Sequence, residues 1–382
     1  MGDRSPRIAL FFGVCGVLIL AGTLMACVEA VPQDAIDAVE SIDGDLKQLR
    51  AAEFSPNDYA QFTHQWMTLK SRVQAEEDLV RWPWETNDLE LALRRLHEEG
   101  AQTVARLTKE RESLRHAAES KIALIEDRIR VMAVQVGAID GRLVLGQKPI
   151  EADLLMKQAH TFYEQGQYDR SLDASARAAQ SLAMQTTLLS HELGRYADRG
   201  RINLWQRMAQ DTVAWSRDHR TSAIVVNKAD RELTLYRNGM KVVSYPVRLG
   251  FNGIREKRYQ GDGATPEGRY RISRKRGEGQ TQFYRALVLD YPNEEDRRRY
   301  RAERKNGGIP YARAIGGQIE IHGVENESMA QTLGCVMLDN QQMMFLFERV
   351  DKGAPVTIVG ALHEENSVAQ TLALLGIQPE ET

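Results

Sequence analysis

From about Gln33 to Arg220 apolar residues recur at intervals of three and four and glycines are few, with Pro56 and Pro83 the only prolines between Gln33 and position 149, so this region is predicted to be helical. Its clearest stripe runs Leu89, Leu93, Leu96, Gly100, Val104, Leu107, then Leu114, Ala118, Ile122, Ile125, Ile129, Met132 and Val136. Such a stripe makes one long amphipathic helix of about 70 Å, or a coiled-coil hairpin that bends near Gly100. Near Thr221 the period changes to two. Ala223 to Asn227 and Leu233 to Arg237 read as strands, and Asn238-Gly239 before Lys241-Val242-Val243 is a hairpin signal, because both residues tolerate positive φ. Further strand patterns are Gly268 to Ser273, Ala286 to Leu289, Gln318 to His322 and Pro355 to Val359. A helix with Met343, Met344, Phe347 and Val350 on its apolar face is expected to be capped by Asp339 with Gln342 and ended by Gly353. The expected fold class is α+β: an all-α helical module, residues 28–220, then a mostly β domain, residues 221–360, and a short packed helix in the tail 361–382.

Ala159, Tyr163, Gly166, Tyr168, Ser171 and Ala178 resemble one tetratricopeptide-type hairpin, with small residues where two helices approach. Stacked repeats need about three units to share a core, so a single hairpin within a bundle is expected. Trp82-Pro83-Trp84 reads as local packing at a helix break. At the N-terminus Arg4 and Arg7 precede an uncharged apolar run, Ile8 to Ala26, which marks residues 1–27 as an export segment. Leu24-Met25-Ala26-Cys27 resembles a lipobox, in which the cysteine is lipidated; the competing reading is an uncleaved anchor, since 19 apolar residues just span a bilayer. Either places the protein in the cell envelope, attached to the membrane through its N-terminus.

Three cysteines, Cys15, Cys27 and Cys335, are too few for a disulfide framework or a cysteine zinc site, and two belong to the export segment. Cys335 is therefore buried filler or a working nucleophile. A net charge of -3 argues against a nucleic-acid binder, although residues 255–313 hold 16 basic against 9 acidic side chains. That excess forms either a cationic rim that attracts carboxylate-rich substrates or the solvated face of the stretch around Arg297-Arg298-Arg299.

In Gln318-Ile319-Glu320-Ile321-His322-Gly323, alternation sends His322 to the face opposite Ile319 and Ile321. Thirteen residues on, Thr332-Leu333-Gly334-Cys335 presents a thiol behind a glycine. A cysteine becomes nucleophilic near neutral pH when a cation, an imidazole or oriented N–H groups lower its pKa, and His322 is the candidate to take its proton. Backbone N–H groups around Gly334 and Cys335 are candidates for an oxyanion site. No metal and no cofactor are expected.

The His322-Gly323 and Thr332-Leu333-Gly334-Cys335 runs resemble the His-Gly and Ser/Thr-x-Gly-Cys signature of the L,D-transpeptidase catalytic domain, of the YkuD/ErfK type. Gly261-Asp262-Gly263-Ala264-Thr265-Pro266-Glu267-Gly268-Arg269-Tyr270 is similar to a second element of that family. Tyr245-Pro246-Val247, Arg285-Ala286-Leu287 with Tyr291-Pro292-Asn293, and Gly353-Ala354-Pro355-Val356-Thr357-Ile358 fall in family order. The resemblance covers residues 221–360 and is silent on the helical half. It implies a cysteine acyltransferase of the bacterial cell wall that forms a thioester with a peptidoglycan stem peptide and passes it to an amine. Cys335 matches the nucleophile and His322 the base, while Gly334, Thr332 and Gly323 match oxyanion and loop support. Many members carry arginine two residues after the cysteine, where Met337 stands here. A hydrolytic L,D-carboxypeptidase or endopeptidase, or a non-catalytic peptidoglycan-binding scaffold, is the alternative. The helical module is expected to act as a spacer and to dock envelope proteins.

Overall fold

A computed structural model describes residues 31–76, 88–324 and 332–377. The export segment with Cys15 and Cys27, and Trp82-Pro83-Trp84, lie outside the described residues. No described helix is long and apolar enough to cross a membrane. The chain divides into two compact units, Met1–Ala117 and Ala118–Thr382.

The first unit holds α1 (Gln33–Gln48), α2 (Ala51–Phe54), α3 (Pro56–Glu76) and the first part of α4 (Asp88–Ala138). Val39, Ile42 and Leu46 of α1 meet Phe62 and Trp66 of α3 and Leu89, Leu93, Leu96 and Leu107 of α4 in one core. The stripe is a single helix of 51 residues that runs through Gly100 without a break, so the hairpin alternative does not hold. A Cβ at Gly100 would stand 2.6 Å from Ile42 Cγ2 and 3.0 Å from Phe62. The glycine permits close packing of helices rather than a bend.

The second unit begins inside α4 and continues through α5 (Lys148–Glu164), α6 (Tyr168–Leu193) and α7 (Arg199–Asp218). Helices α5 and α6 form the expected hairpin: Ala159, Ala174 and Ala178 are buried, and the Ser171 hydroxyl donates to the Ala159 carbonyl at 2.8 Å. Secondary structure changes type near residue 221, as the alternation indicates, but packing divides about a hundred residues earlier. Leu189, Leu193, Tyr196, Ile202 and Trp205 share one hydrophobic cluster with Ala229, Val359, Ala361, Val368 and Leu372 of the β-rich part.

That part is an eight-stranded sheet of β1 (Ser222–Asn227), β2 (Glu232–Arg237), β3 (Met240–Pro246), β4 (Gly268–Arg276), β5 (Ala286–Leu289), β6 (Glu320–His322), β7 (Val336–Met337) and β8 (Pro355–Val359), in the order β3-β2-β1-β8-β4-β5-β6-β7. Pairs β1–β8 and β6–β7 are parallel and the rest antiparallel. Asn238 and Gly239 turn the β2–β3 hairpin at φ of 54° and 76°. Helices α8 (Glu294–Lys305), α9 (Asn340–Arg349) and α10 (Ser367–Leu374) complete the unit. Met343 and Leu346 of α9 seal the sheet core of Ile224, Val226, Ile272, Leu289, Ile321 and Val336. Asp339 stands at the N-cap of α9 but makes no side-chain cap bond, contrary to the sequence expectation; its carboxylate lies 3.8 Å from Arg248.

Strand β4 carries a bulge. Ile272 faces Leu289 and Arg274 faces Val288, so Ser273 is an extra residue and the alternation inverts beyond it. Before the bulge the even residues Tyr270 and Ile272 enter the core; after it Lys275 shares the core-side row with Leu287, Ile321 and Val336, and Arg276 turns to the other face.

A buried charge cluster joins the helices to the sheet. The Lys228 ammonium, with no exposed side-chain surface, donates to Glu267 Oε1, Thr265 O and Arg255 O, each at 2.8 Å. Arg195, from the turn between α6 and α7, donates to the same Glu267 oxygen at 2.9 Å and to Ile254 O at 2.6 Å. Burial opposes every charge here. It drives Lys228 down to about 8, whereas Arg195 and Lys228 overcome the burial of Glu267 and hold its carboxyl at about 2.

Candidate active site

His322 ends β6 and Cys335 immediately precedes β7, and the two strands run in parallel register, Ile321 opposite Val336 and His322 opposite Met337. Residues 325–331, between them in sequence, lie outside the described residues. Alternation puts Ile321 and Val336 in the core and places His322 and Cys335 on the opposite face, where both line a cleft of about 1020 Å³ together with Phe251, Lys257, Arg276, Phe283, Glu320 and Leu333.

The imidazole is buried and stacks on Phe283, with ring centroids 3.6 Å apart and an interplanar angle of 15°. Nδ1 lies 2.7 Å from the Gly323 carbonyl oxygen. A carbonyl only accepts, so Nδ1 carries a proton, and in the neutral ring Nε2 is left with its lone pair. Nε2 is buried and has no hydrogen-bond partner among the described residues. Burial holds the ring's pKa below the usual histidine value, despite the opposing bond to Gly323. The pair thus supplies a neutral, oriented base.

The Cys335 thiol is half-buried. Its sulfur accepts the Glu320 N–H at 3.4 Å and donates toward the Gln318 carbonyl at 3.6 Å. Burial pushes the thiol up to about 11 and the Glu320 carboxylate adds to this, while the Glu320 N–H and Lys257 work against them. A raised thiol beside a lowered imidazole leaves the proton on sulfur at pH 7, in keeping with a base that takes it during attack. Loss of that proton as the sulfur attacks is general-base chemistry.

The supporting residues of the Thr-x-Gly-Cys run are organised around this thiol. Thr332 Oγ1 donates to the Cys335 carbonyl at 2.7 Å and accepts the Gly334 N–H at 3.2 Å. Gly334 has φ of +131°, and a Cβ there would meet the Ala264 carbonyl oxygen at 2.7 Å. Its N–H is already engaged by Thr332, so the backbone donor that remains without a partner among the described residues is the Cys335 N–H. Gly323 acts through its carbonyl, as the acceptor that fixes the imidazole.

Asp262 of the Gly-Asp-Gly run accepts the N–H groups of Arg258, Tyr259 and Ala264 and the Lys257 ammonium, which makes it a loop organiser. Several of the basic residues in 255–313 pair with nearby carboxylates: Arg255 with Glu192, Arg269 with Asp211, Arg299 with Asp296 and Arg301 with Glu294. Among those basic residues Lys257 and Arg276 line the cleft. Phe283, Lys257, Arg276 and Glu320 were not singled out as site residues from sequence. Phe283 lies in a loop without periodicity, and the bulge hides Arg276. Among the described residues no cluster of three His, Cys, Asp or Glu side chains could hold a metal ion.

A thiol and an oriented imidazole on adjacent strands of a curled mixed sheet define a domain type. Residues 221–358 match the family model of the L,D-transpeptidase catalytic domain, YkuD. Solved structures similar to the chain include Bd1075 of Bdellovibrio bacteriovorus (21% identity, 42% of this chain and 56% of that one, TM-score 0.30). Others are the L,D-transpeptidase of Enterococcus faecium (14%, 36% and 49%, 0.25) and that of Mycobacterium smegmatis (15%, 36% and 58%, 0.22). The chain spans about half the length of these three proteins. No curated protein matches it.

Proposed function

We propose that this protein is a peptidoglycan L,D-transpeptidase, exported to the bacterial cell envelope and held there by its N-terminal segment. The supporting observation is the Nε2 lone pair of His322, oriented by the Gly323 carbonyl in the cleft that also holds the Cys335 thiol. In the proposed reaction Sγ attacks a peptide carbonyl of the stem as Nε2 takes the thiol proton. The tetrahedral oxyanion meets the Cys335 N–H, and the proton passes from the imidazole to the departing amine, leaving a thioester. A second amine gives its proton to Nε2, attacks the thioester and restores the thiol.

The test is intact-protein mass spectrometry after exposure to a carbapenem, with muropeptide analysis of the products. Wild type should gain the mass of one adduct and Cys335→Ala none; an equal adduct on the alanine variant refutes the assignment. His322→Ala should acylate roughly two to four orders of magnitude more slowly. A free carboxylate on the product instead of a new amide would make water the acceptor and the protein a hydrolase. An inert cleft that still binds peptidoglycan would make it a scaffold.

A further inference from the structure

One row of residues crosses the cleft floor. Arg276 of β4 pairs with Ala286 of β5, Ala286 with His322 of β6, and His322 with Met337 of β7. Directly paired residues of neighbouring strands point to the same face, so Arg276 stands two strands, about 10 Å, from His322. Met337 flanks His322 on the other side and is apolar and buried.

The two cleft-lining cations differ in what remains of their bonding capacity. The Lys257 ammonium is held by Asp262 Oδ1 at 2.6 Å and Tyr259 O at 3.1 Å, and its side chain is 4% exposed. Arg276 donates one N–H to Glu320 Oε1 at 2.9 Å; its other N–H groups have no partner among the described residues, and its side chain is 28% exposed. Glu320 in turn is 5% exposed, gives its backbone N–H to the Cys335 sulfur, and has a second carboxylate oxygen without a partner among the described residues. A buried carboxylate with open lone pairs and a guanidinium with open N–H groups therefore stand side by side, next to the thiol.

We propose that Arg276 and Glu320 form a specificity site for a zwitterionic amino-acid end of the peptide substrate, Arg276 gripping the carboxylate and Glu320 the neighbouring ammonium. The assignment rests on the acyl-transfer reading of the cleft. A ligand with a carboxylate alone would face the repulsion of Glu320, and one with an amine alone that of Arg276. A head carrying both charges on one carbon atom satisfies both partners and leaves neither buried charge unmatched.

The experiment uses the full chain and two synthetic tetrapeptides ending in D-alanine. In one, the third residue is a diamino acid whose side chain ends in a free amino-carboxylate; in the other that carboxylate is an amide. Release of D-alanine is followed, with carbapenem acylation measured in parallel as a reaction that does not depend on the zwitterion. Wild type should prefer the free acid by roughly 10- to 100-fold in kcat/KM, most of it in KM. Arg276→Ala should abolish that preference, and Arg276→Lys should restore only part of it. Glu320→Gln should lower the preference for a free over an acetylated side-chain amine. Equal turnover of the two peptides by wild type overturns the proposal and leaves the enzyme reading intact. If wild type forms the carbapenem adduct but uses neither peptide, the proposed substrate class is wrong. Loss of the adduct as well overturns both readings.

Discussion

A chain that begins at Arg220 contains every strand and every residue of the cleft, so the change of hydrophobic period at Thr221 makes it look self-sufficient. Packing leads to the opposite expectation. Removing α4 to α7 strips Leu193, Tyr196, Ile202 and Trp205 from the cluster that covers Ile254, Val359, Val368 and Leu372. Fully exposing a side chain of that size costs about 1.5–3 kcal/mol, so exposing these four by half costs about 3–6 kcal/mol, against total stabilities of about 5–15 kcal/mol. Glu267 also loses Arg195, one of its two cations. The Arg220 chain should therefore unfold at a much lower urea concentration than one starting at Ala118, or fail to fold, whereas the Ala118 chain should unfold in one cooperative transition. Urea unfolding followed by circular dichroism, with carbapenem acylation of the same samples, measures both. Midpoints and slopes that agree within error would show that helices 118–218 contribute no core to the catalytic domain, and the packing argument would fall.

Three further outcomes follow from the site and the buried cluster. With the thiol near 11, the thiolate fraction at pH 7 is on the order of 10⁻⁴, so alkylation of Cys335 by a neutral electrophile should rise about tenfold per pH unit from 7 to 10; a plateau already at neutrality would mean a preformed ion pair. Glu267→Gln leaves Arg195 and Lys228 without their shared carboxylate and should cost about 3–5 kcal/mol. Because Lys228 titrates at about 8 in the folded chain and at 10.5 when unfolded, its contribution to stability improves as pH rises from 8 to 10.5. The deficit of the Gln variant should therefore be smaller at pH 9 than at pH 6 in thermal melts, and a deficit independent of pH would contradict it. Gly334→Ala introduces a Cβ 2.7 Å from a backbone oxygen at φ of +131°, so it should lower stability by about 1–3 kcal/mol and slow acylation at least tenfold. Denaturant unfolding and adduct kinetics on one preparation separate the two effects.

The helical and β-rich halves, the Asn238-Gly239 hairpin and the face of His322 were legible in the sequence because each depends on local periodicity or on a turn residue with a fixed backbone preference. The single helix through Gly100 was not decided by sequence, since the same glycine serves a bend or a close contact, and only Ile42 and Phe62 distinguish them. Packing of α7 on the sheet was invisible because Trp205 and Gly360 are far apart in sequence, yet a Cβ at Gly360 would stand 2.2 Å from the Trp205 ring. The burial that raises the thiol was not legible for a related reason: it comes from neighbours that the motif does not contain. Phe283, which immobilises the imidazole, comes from a loop with no regular pattern.

The extra residue in β4 gives the cleft a tolerance to chain length that substitution does not reveal. Replacing Ser273 removes a hydroxyl that bonds to the Val288 and Leu289 carbonyls and leaves the register in place. Deleting it would remove the bulge and leave Arg274 opposite Val288, Lys275 opposite Leu287 and Arg276 opposite Ala286, so each following side chain keeps its face. Deleting Arg274 as well would slide the strand by one residue against β5, turning Arg276 toward the apolar row of Leu287, Ile321 and Val336 and Lys275 into the cleft, so a two-codon deletion would exchange the charge that faces substrate with the one that faces the core where a one-codon deletion would not.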